Sequence, residues 1–155
     1  MIALGCATRV FPSGPPAAHV SDEVMSGDDQ FRASQRLVMD GLDADESGDA
    51  ERAQSRYDRA LQIDASNPWV YLALARHYVD AGEPERALAH LDRAEALLDS
   101  QQPASPGAKT HCDGLRGAAL ALEGDLADAQ PLLDSAARSA PDVWGDGRLT
   151  AAELR

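Results

Sequence analysis

At 155 residues the chain has the size of one domain. It carries 26 acidic against 14 basic residues, a net charge of −12, and Lys109 is its sole lysine, so no basic patch exists to neutralise phosphates and both nucleic acid and anionic lipid surfaces are disfavoured as partners. Aromatic residues make up only 5% and the strand-favouring Val, Ile and Thr are sparse and do not alternate, so burial must rest on Ala, Leu and Val in closely packed helices.

The chain opens Met1-Ile2-Ala3-Leu4-Gly5-Cys6. Ala3-Leu4-Gly5-Cys6 resembles the lipobox of bacterial lipoproteins, in which a small residue precedes a cysteine that becomes lipidated. Ala3 stands where Leu is usual. The residues before Cys6 are too few for the charged and apolar segments of an export signal, so the stretch reads as the end of such a signal with Cys6 as the lipidation site. An ordinary terminus is the alternative. Residues 7–27 follow as a linker: Pro12, Gly14, Pro15 and Pro16 stop any helix, and Ser21 to Gly27 are polar. On this reading residues 1–27 are a lipobox-like start and disordered tether, and the membrane is reached only through lipid on Cys6. Cys6 and Cys112 are too few for a disulfide framework.

A periodic segment spans 28–143. Gly48, Ala53, Tyr57 and Ala60 return 34 residues later as Gly82, Ala87, Leu91 and Ala94, and 42 residues beyond those as Gly124, Ala129, Leu133 and Ala136. A fixed period in this range marks stacked supersecondary units. Asn67-Pro68 is an N-cap followed by a proline suited to the first helical position. The helix it opens places Tyr71, Leu74, Ala75 and Tyr78 on one face, and Gly82 ends it. Pro84 opens the next helix, through Ala87, Leu91 and Ala94. The expected units are 34–67, 68–101 and 110–143, with 102–109 as a Pro- and Gly-containing loop. In the third unit Asp113 and Arg116 stand where large apolar residues are expected, so the start of its first helix is expected to be loose. Pro131 predicts a kink or a frayed start in the last long helix. The segment 144–155 should form a short closing helix that lays Leu149, Ala152 and Trp144 over the last unit.

Residues 68–101 resemble the tetratricopeptide repeat through Tyr71, Leu74, Ala75, Tyr78, Gly82, Ala87, Leu91 and Ala94. Residues 34–67 share the pattern through Leu37, Gly41, Ala44, Gly48, Ala53, Tyr57 and Ala60, with Asp40 departing from it. Residues 110–143 share it through Gly117, Leu120, Gly124, Ala129, Leu133, Ala136 and Pro141. The resemblance implies an all-α fold: an α-solenoid of three helix-turn-helix units with a short C-terminal capping helix. It also implies a concave groove, lined by the first helix of each unit, that takes a peptide or a partner helix. The inward positions are then Val38, Leu42, Trp69, Leu72, Arg76, Val79, His111, Leu115 and Leu122, with Trp69 either the exposed anchor or packed against the neighbouring unit, and the other positions serving packing more than contact. With Arg76 as its main cation, this groove resembles chaperone-binding members poorly, since those hold a carboxylate with several basic residues. It suits an apolar or amphipathic segment.

Two acidic stretches imitate calcium loops, Asp43 to Gln54 and Asp142 to Glu153. The first ends in Gln, and Trp144 occupies a ligand position in the second. The histidines His19, His77, His90 and His111 show no metal-ligand spacing, and no phosphate loop or nucleophile elbow occurs. No enzymatic activity and no cofactor are expected. The leading expectation is a protein-binding adaptor in a bacterial cell envelope, facing the periplasm and serving an assembly such as pilus or secretion machinery. A cytoplasmic adaptor and a calcium-responsive module are the alternatives.

Overall fold

The computed structural model describes residues 19–20, 28–100 and 105–155. Cys6, its lipobox-like context and most of the 1–27 linker lie outside the described residues. Six long helices form three antiparallel hairpins: α1 (Asp29–Glu46) with α2 (Ala50–Ile63), α3 (Pro68–Asp80) with α4 (Pro84–Ser100), and α5 (Pro106–Glu123) with α6 (Leu126–Ser139). Two single-turn helices follow, α7 (Pro141–Trp144) and α8 (Ala151–Leu154).

The helix ends follow from local chemistry. The side chains of Asp28, Asp49, Asn67 and Asp125 accept hydrogen bonds from first-turn amides, those of Phe31, Arg52, Trp69 and Asp128, satisfying donors that the helix cannot. The three tight turns are copies of one another. Asp49 N–H donates to Ala44 O, Glu83 N–H to Tyr78 O and Asp125 N–H to Leu120 O, at 2.9, 2.9 and 3.0 Å, the six-to-one bond of a Schellman closure. Gly82, at the apex of the middle turn, has φ +72° and open space around it. Glycine is needed there for its backbone conformation, not for its size.

Each hairpin is close-packed through the repeated small residues. A Cβ added at Gly41 would stand 2.4 Å from the Tyr57 ring, so α1 and α2 touch where no side chain intervenes. Ala53, Tyr57, Ala60, Ala87, Leu91, Ala94, Ala129 and Ala136 are all buried. Neighbouring hairpins pack through α2 on α3 and α4 on α5, while α1 touches α3 and α3 touches α5. The first helices therefore form one continuous inner face.

Several expectations need correction. The first hairpin begins at Asp29, ahead of residue 34, because Asp28 caps it. Helix α5 begins at Pro106, inside the expected 102–109 loop, because Pro106 at the first helical position suits a helix start as Pro68 does. Nor is its start loose. Arg116, which looked out of place, ion-pairs with Asp92 and Glu95 of α4 at 2.8 and 2.9 Å. Helix α6 runs unbroken past Pro131 and its start is not frayed, since Ala129 N–H donates to Asp125 O at 3.0 Å. His19 and Val20 are not free linker. Val20 is buried and its carbonyl accepts from Gln35 Nε2 at 3.1 Å.

The largest correction concerns the C-terminal segment. Trp144 does lie on the last hairpin, where a Cβ at Gly114 of α5 would fall 2.4 Å from its ring. Leu149 stays beside Leu115 and Leu122 of α5, but helix α8, with Ala152, packs on α1 and α3 instead of over the third unit.

Candidate functional site

The inner face is where α1, α3 and α5 present side chains to one side of the array. The chain's own residues 145–155 run back along it. Leu149, Ala151 and Leu154 of this tail are buried in the same apolar cluster as Val38, Leu42 and Leu72. Arg155 Nη1 pairs with Asp43 Oδ1 at 3.0 Å, and His19 Nδ1 donates to Glu153 O at 2.8 Å. Helix α8 satisfies its own end: Thr150 Oγ1 accepts from Glu153 N–H at 3.2 Å, and the Glu153 carboxylate accepts from Thr150 N–H at 2.8 Å, a complete capping box.

Two hollows flank the tail. One, about 460 Å³, is lined by Val79, Leu115, Ala118, Ala121, Leu122 and Leu149, among others. The other, about 380 Å³, is lined by Asp45, Glu46, Arg76 and Asp80 of the array with Arg148 to Ala152 of the tail. The inner face thus has an apolar half over α3 and α5 and an acidic half over α1 and α3. A larger hollow of about 1040 Å³ lies on α2 and α4. Charges of both signs line it, with Arg86 placed over the Tyr78 ring at 3.9 Å and paired with Glu83 at 2.8 Å. That local neutralisation leaves it less suited to recognise a partner of one sign.

Between α1 and α3 lies a buried polar cluster. Asp45 accepts from Arg76 Nη2 at 2.5 Å, His77 Nδ1 at 2.8 Å and Tyr57 Oη at 2.8 Å. Arg76 also donates to Asp80 at 2.8 Å, and its buried Nε has no hydrogen-bond partner. Burial would raise the Asp45 pKa. The hydrogen bond from His77, the Arg76 charge and the Tyr57 hydroxyl outweigh it, and the carboxyl stays below its ordinary 3.8. The same burial and the Asp45 charge push the Tyr57 hydroxyl far up. Cys112 is buried in α5 and its thiol is pushed up to about 12 by desolvation, with Glu95 and Asp113 adding to the effect.

Of the expected inward residues, Val79 and Leu115 line the apolar hollow and Leu122 is 51% exposed there. Val38, Leu42 and Leu72 are fully buried, and Trp69 is only 2% exposed. Trp69 is therefore no exposed anchor. His111 is buried too and accepts from Trp144 Nε1 at 3.2 Å. Arg76 is held by two carboxylates and offers no loose cation. The calcium reading loses its ligands in the same way: Asp45 is occupied by three donors and Glu153 by the capping box. Sequence reasoning missed Asp80, Ala118, Ala121 and Arg148, and read Asp45 only as part of a calcium-like loop. Their shared signal is weak, since each reaches the site through contacts distant in the chain.

Residues 46–108 match a protein family described as tetratricopeptide repeat. A stretch of 73 residues, 47% of this chain, is 41% identical to cellulose synthase operon protein C of Pseudomonas fluorescens (strain SBW25), of which it spans 5%. The fold is similar to the N-terminal domain of stress-induced protein-1 from C. elegans, with a TM-score of 0.62 and 19% identity over 78% of this chain and 96% of that one. At such identity the second likeness concerns the fold alone.

Proposed function

We propose that this chain is an array of tetratricopeptide repeats whose inner face takes up a segment of a partner protein, as an adaptor in a bacterial cell-envelope assembly; the family match over residues 46–108 and the likeness of fold support the reading. The observation that carries the reading is the apolar hollow over α3 and α5, where Leu122 stands exposed beside Val79 and Leu115. Concave apolar surface of this kind is where binding sites concentrate. The envelope setting draws on the lipobox-like Ala3 to Cys6 and on the bacterial relative named for a cellulose synthase operon. Pilus or secretion machinery are further assemblies that such an adaptor would serve.

A photo-crosslinking amino acid at position 122, in cells of the producing bacterium, should capture a protein partner. The same residue at Leu126, which is 66% exposed but outside the hollow, should capture none. Leu122→Glu should then weaken the captured complex about tenfold or more, the equivalent of about 1.4 kcal/mol. Capture from position 126 alone, or from neither position, would remove the inner face as the binding surface.

A further inference from the structure

The inward positions Val38, Leu42, Trp69, Leu72 and Arg76 of α1 and α3 are buried, although they belong to a face that stacking alone leaves open. The cover is the chain's own tail, with α8 seated on both helices. How the tail is held matters. The hydrogen bonds from its backbone amides stay within it: Gly147 N–H to Trp144 O, Arg148 N–H to Asp146 Oδ1, Leu154 N–H to Thr150 O and Arg155 N–H to Ala151 O. Its attachment to the rest of the chain is by Leu149, Ala151 and Leu154 in the apolar cluster, by Arg155 on Asp43, and by the Glu153 carbonyl, which accepts from His19 Nδ1. Open hollows of about 380 and 460 Å³ flank the tail on the inner face.

The tail has a fixed end. Trp144 is locked against Gly114 and His111. Gly145, where an added Cβ would stand 2.5 Å from Pro141 O, and Gly147, at φ +76°, follow at once and form the turn into the tail. The seat is also charged to match. Asp43, Asp45, Glu46 and Asp80 lie along it, and the tail brings Arg148 and Arg155 to them. In a chain of net charge −12, the ion pair the tail brings is Arg155 on Asp43, Asp45 and Asp80 being already held by Arg76.

We propose that residues 145–155 are a built-in occupant of the groove, and that the external segment it receives has the same chemistry, a short amphipathic stretch of leucine and alanine flanked by arginine or lysine, and binds by displacing the tail. The inference rests on the inner face being the binding surface, as proposed above. It adds the character of the guest and the reason that the face is closed without one. A basic guest would also be drawn by the long-range field of the acidic chain.

The probe is a fluorescein-labelled synthetic peptide of residues 145–155, titrated by anisotropy into the full-length chain and into full-length Leu149→Asp/Leu154→Asp, whose tail cannot re-enter the apolar seat. The peptide should bind the double variant about tenfold or more tighter than the unaltered chain, and replacing both peptide arginines by glutamate should weaken it by about the same factor. Equal binding to both proteins, or binding to neither, overturns the proposal. Amide exchange on the unaltered chain supplies a second test that needs no variant. The Leu154 and Arg155 amides should exchange about a hundredfold or more faster than those of Ala75 and Tyr78 in α3, as a locally opening segment does. Equal protection would make the tail a permanent part of the core and would also overturn displacement. Capture at Leu122 is read independently. If it persists while these tests fail, only the displaceable tail is lost, and if it fails the groove itself is.

Discussion

Trp144→Ala lowers the stability of the chain by about 3–5 kcal/mol, the cost of emptying a large buried aromatic site. Trp144 is the largest fully buried side chain among the described residues. Its ring fills the space that Gly114 leaves on α5, and its Nε1 donates to buried His111. No smaller side chain closes that gap. The reciprocal change, Gly114→Ala, inserts a Cβ 2.4 Å from the ring and should cost about 1–3 kcal/mol by overpacking. Trp144 is also the fixed end of the tail, so its loss should loosen Leu149 and Leu154 together with the third hairpin. Urea denaturation measures both effects. A Trp144→Ala midpoint unchanged from the parent would mean that the ring does not occupy the Gly114 site.

The second large effect lies at Asp45. Asp45→Ala removes the shared acceptor of Arg76, His77 and Tyr57 and leaves a buried guanidinium with Asp80 as its remaining ion pair. Breaking a buried ion pair from one side costs about 3–5 kcal/mol, a large part of the 5–15 kcal/mol typical of a domain. The pH dependence has a definite sign. The folded-state pKa of Asp45 lies below its ordinary 3.8, so its contribution is fully present above that value and is lost as pH falls through the lower folded value. The stability gap between the parent and Asp45→Ala should therefore be constant near neutrality and shrink under acid conditions below about pH 4. Denaturation series at several pH values measure it. A gap under about 1 kcal/mol at neutral pH would mean that the cluster is hydrated and loose, as surface pairs are.

What was legible in the sequence was whatever short-range chemistry decides. Gly48, Gly82 and Gly124 mark three identical turns because glycine alone enters φ > 0 without cost. Asn67-Pro68 marks a helix start because cap and first position have distinct requirements. Pro106 carried the same start signal as Pro68, but neighbouring Pro103 and Gly107 made the stretch resemble a loop.

Two features escaped because they depend on residues far apart. The Asp45 cluster joins positions 31 and 32 residues distant, and an aspartate three places before a turn glycine carries no mark of a buried cation opposite. The burial of Trp69, Leu72, Val38 and Leu42 depends on what lies over them. A four-residue helix has no periodicity to declare its docking face. Its destination on α1 and α3 could not be read from those four residues.

The decisive measurement is the distance between spin labels at positions 43 and 155, in the full-length chain with Cys6 replaced by serine and buried Cys112 left in place. Asp43 and Arg155 are each about half exposed and their ion pair is of the surface kind, so labelling them should remove little of what seats the tail. If the hairpins nest with their first helices on one face and the C-terminal stretch crosses that face, the labels give a single narrow short-distance population. A broad distribution, or one centred near the length of the array, would place the tail elsewhere and contradict the architecture of the inner face described here.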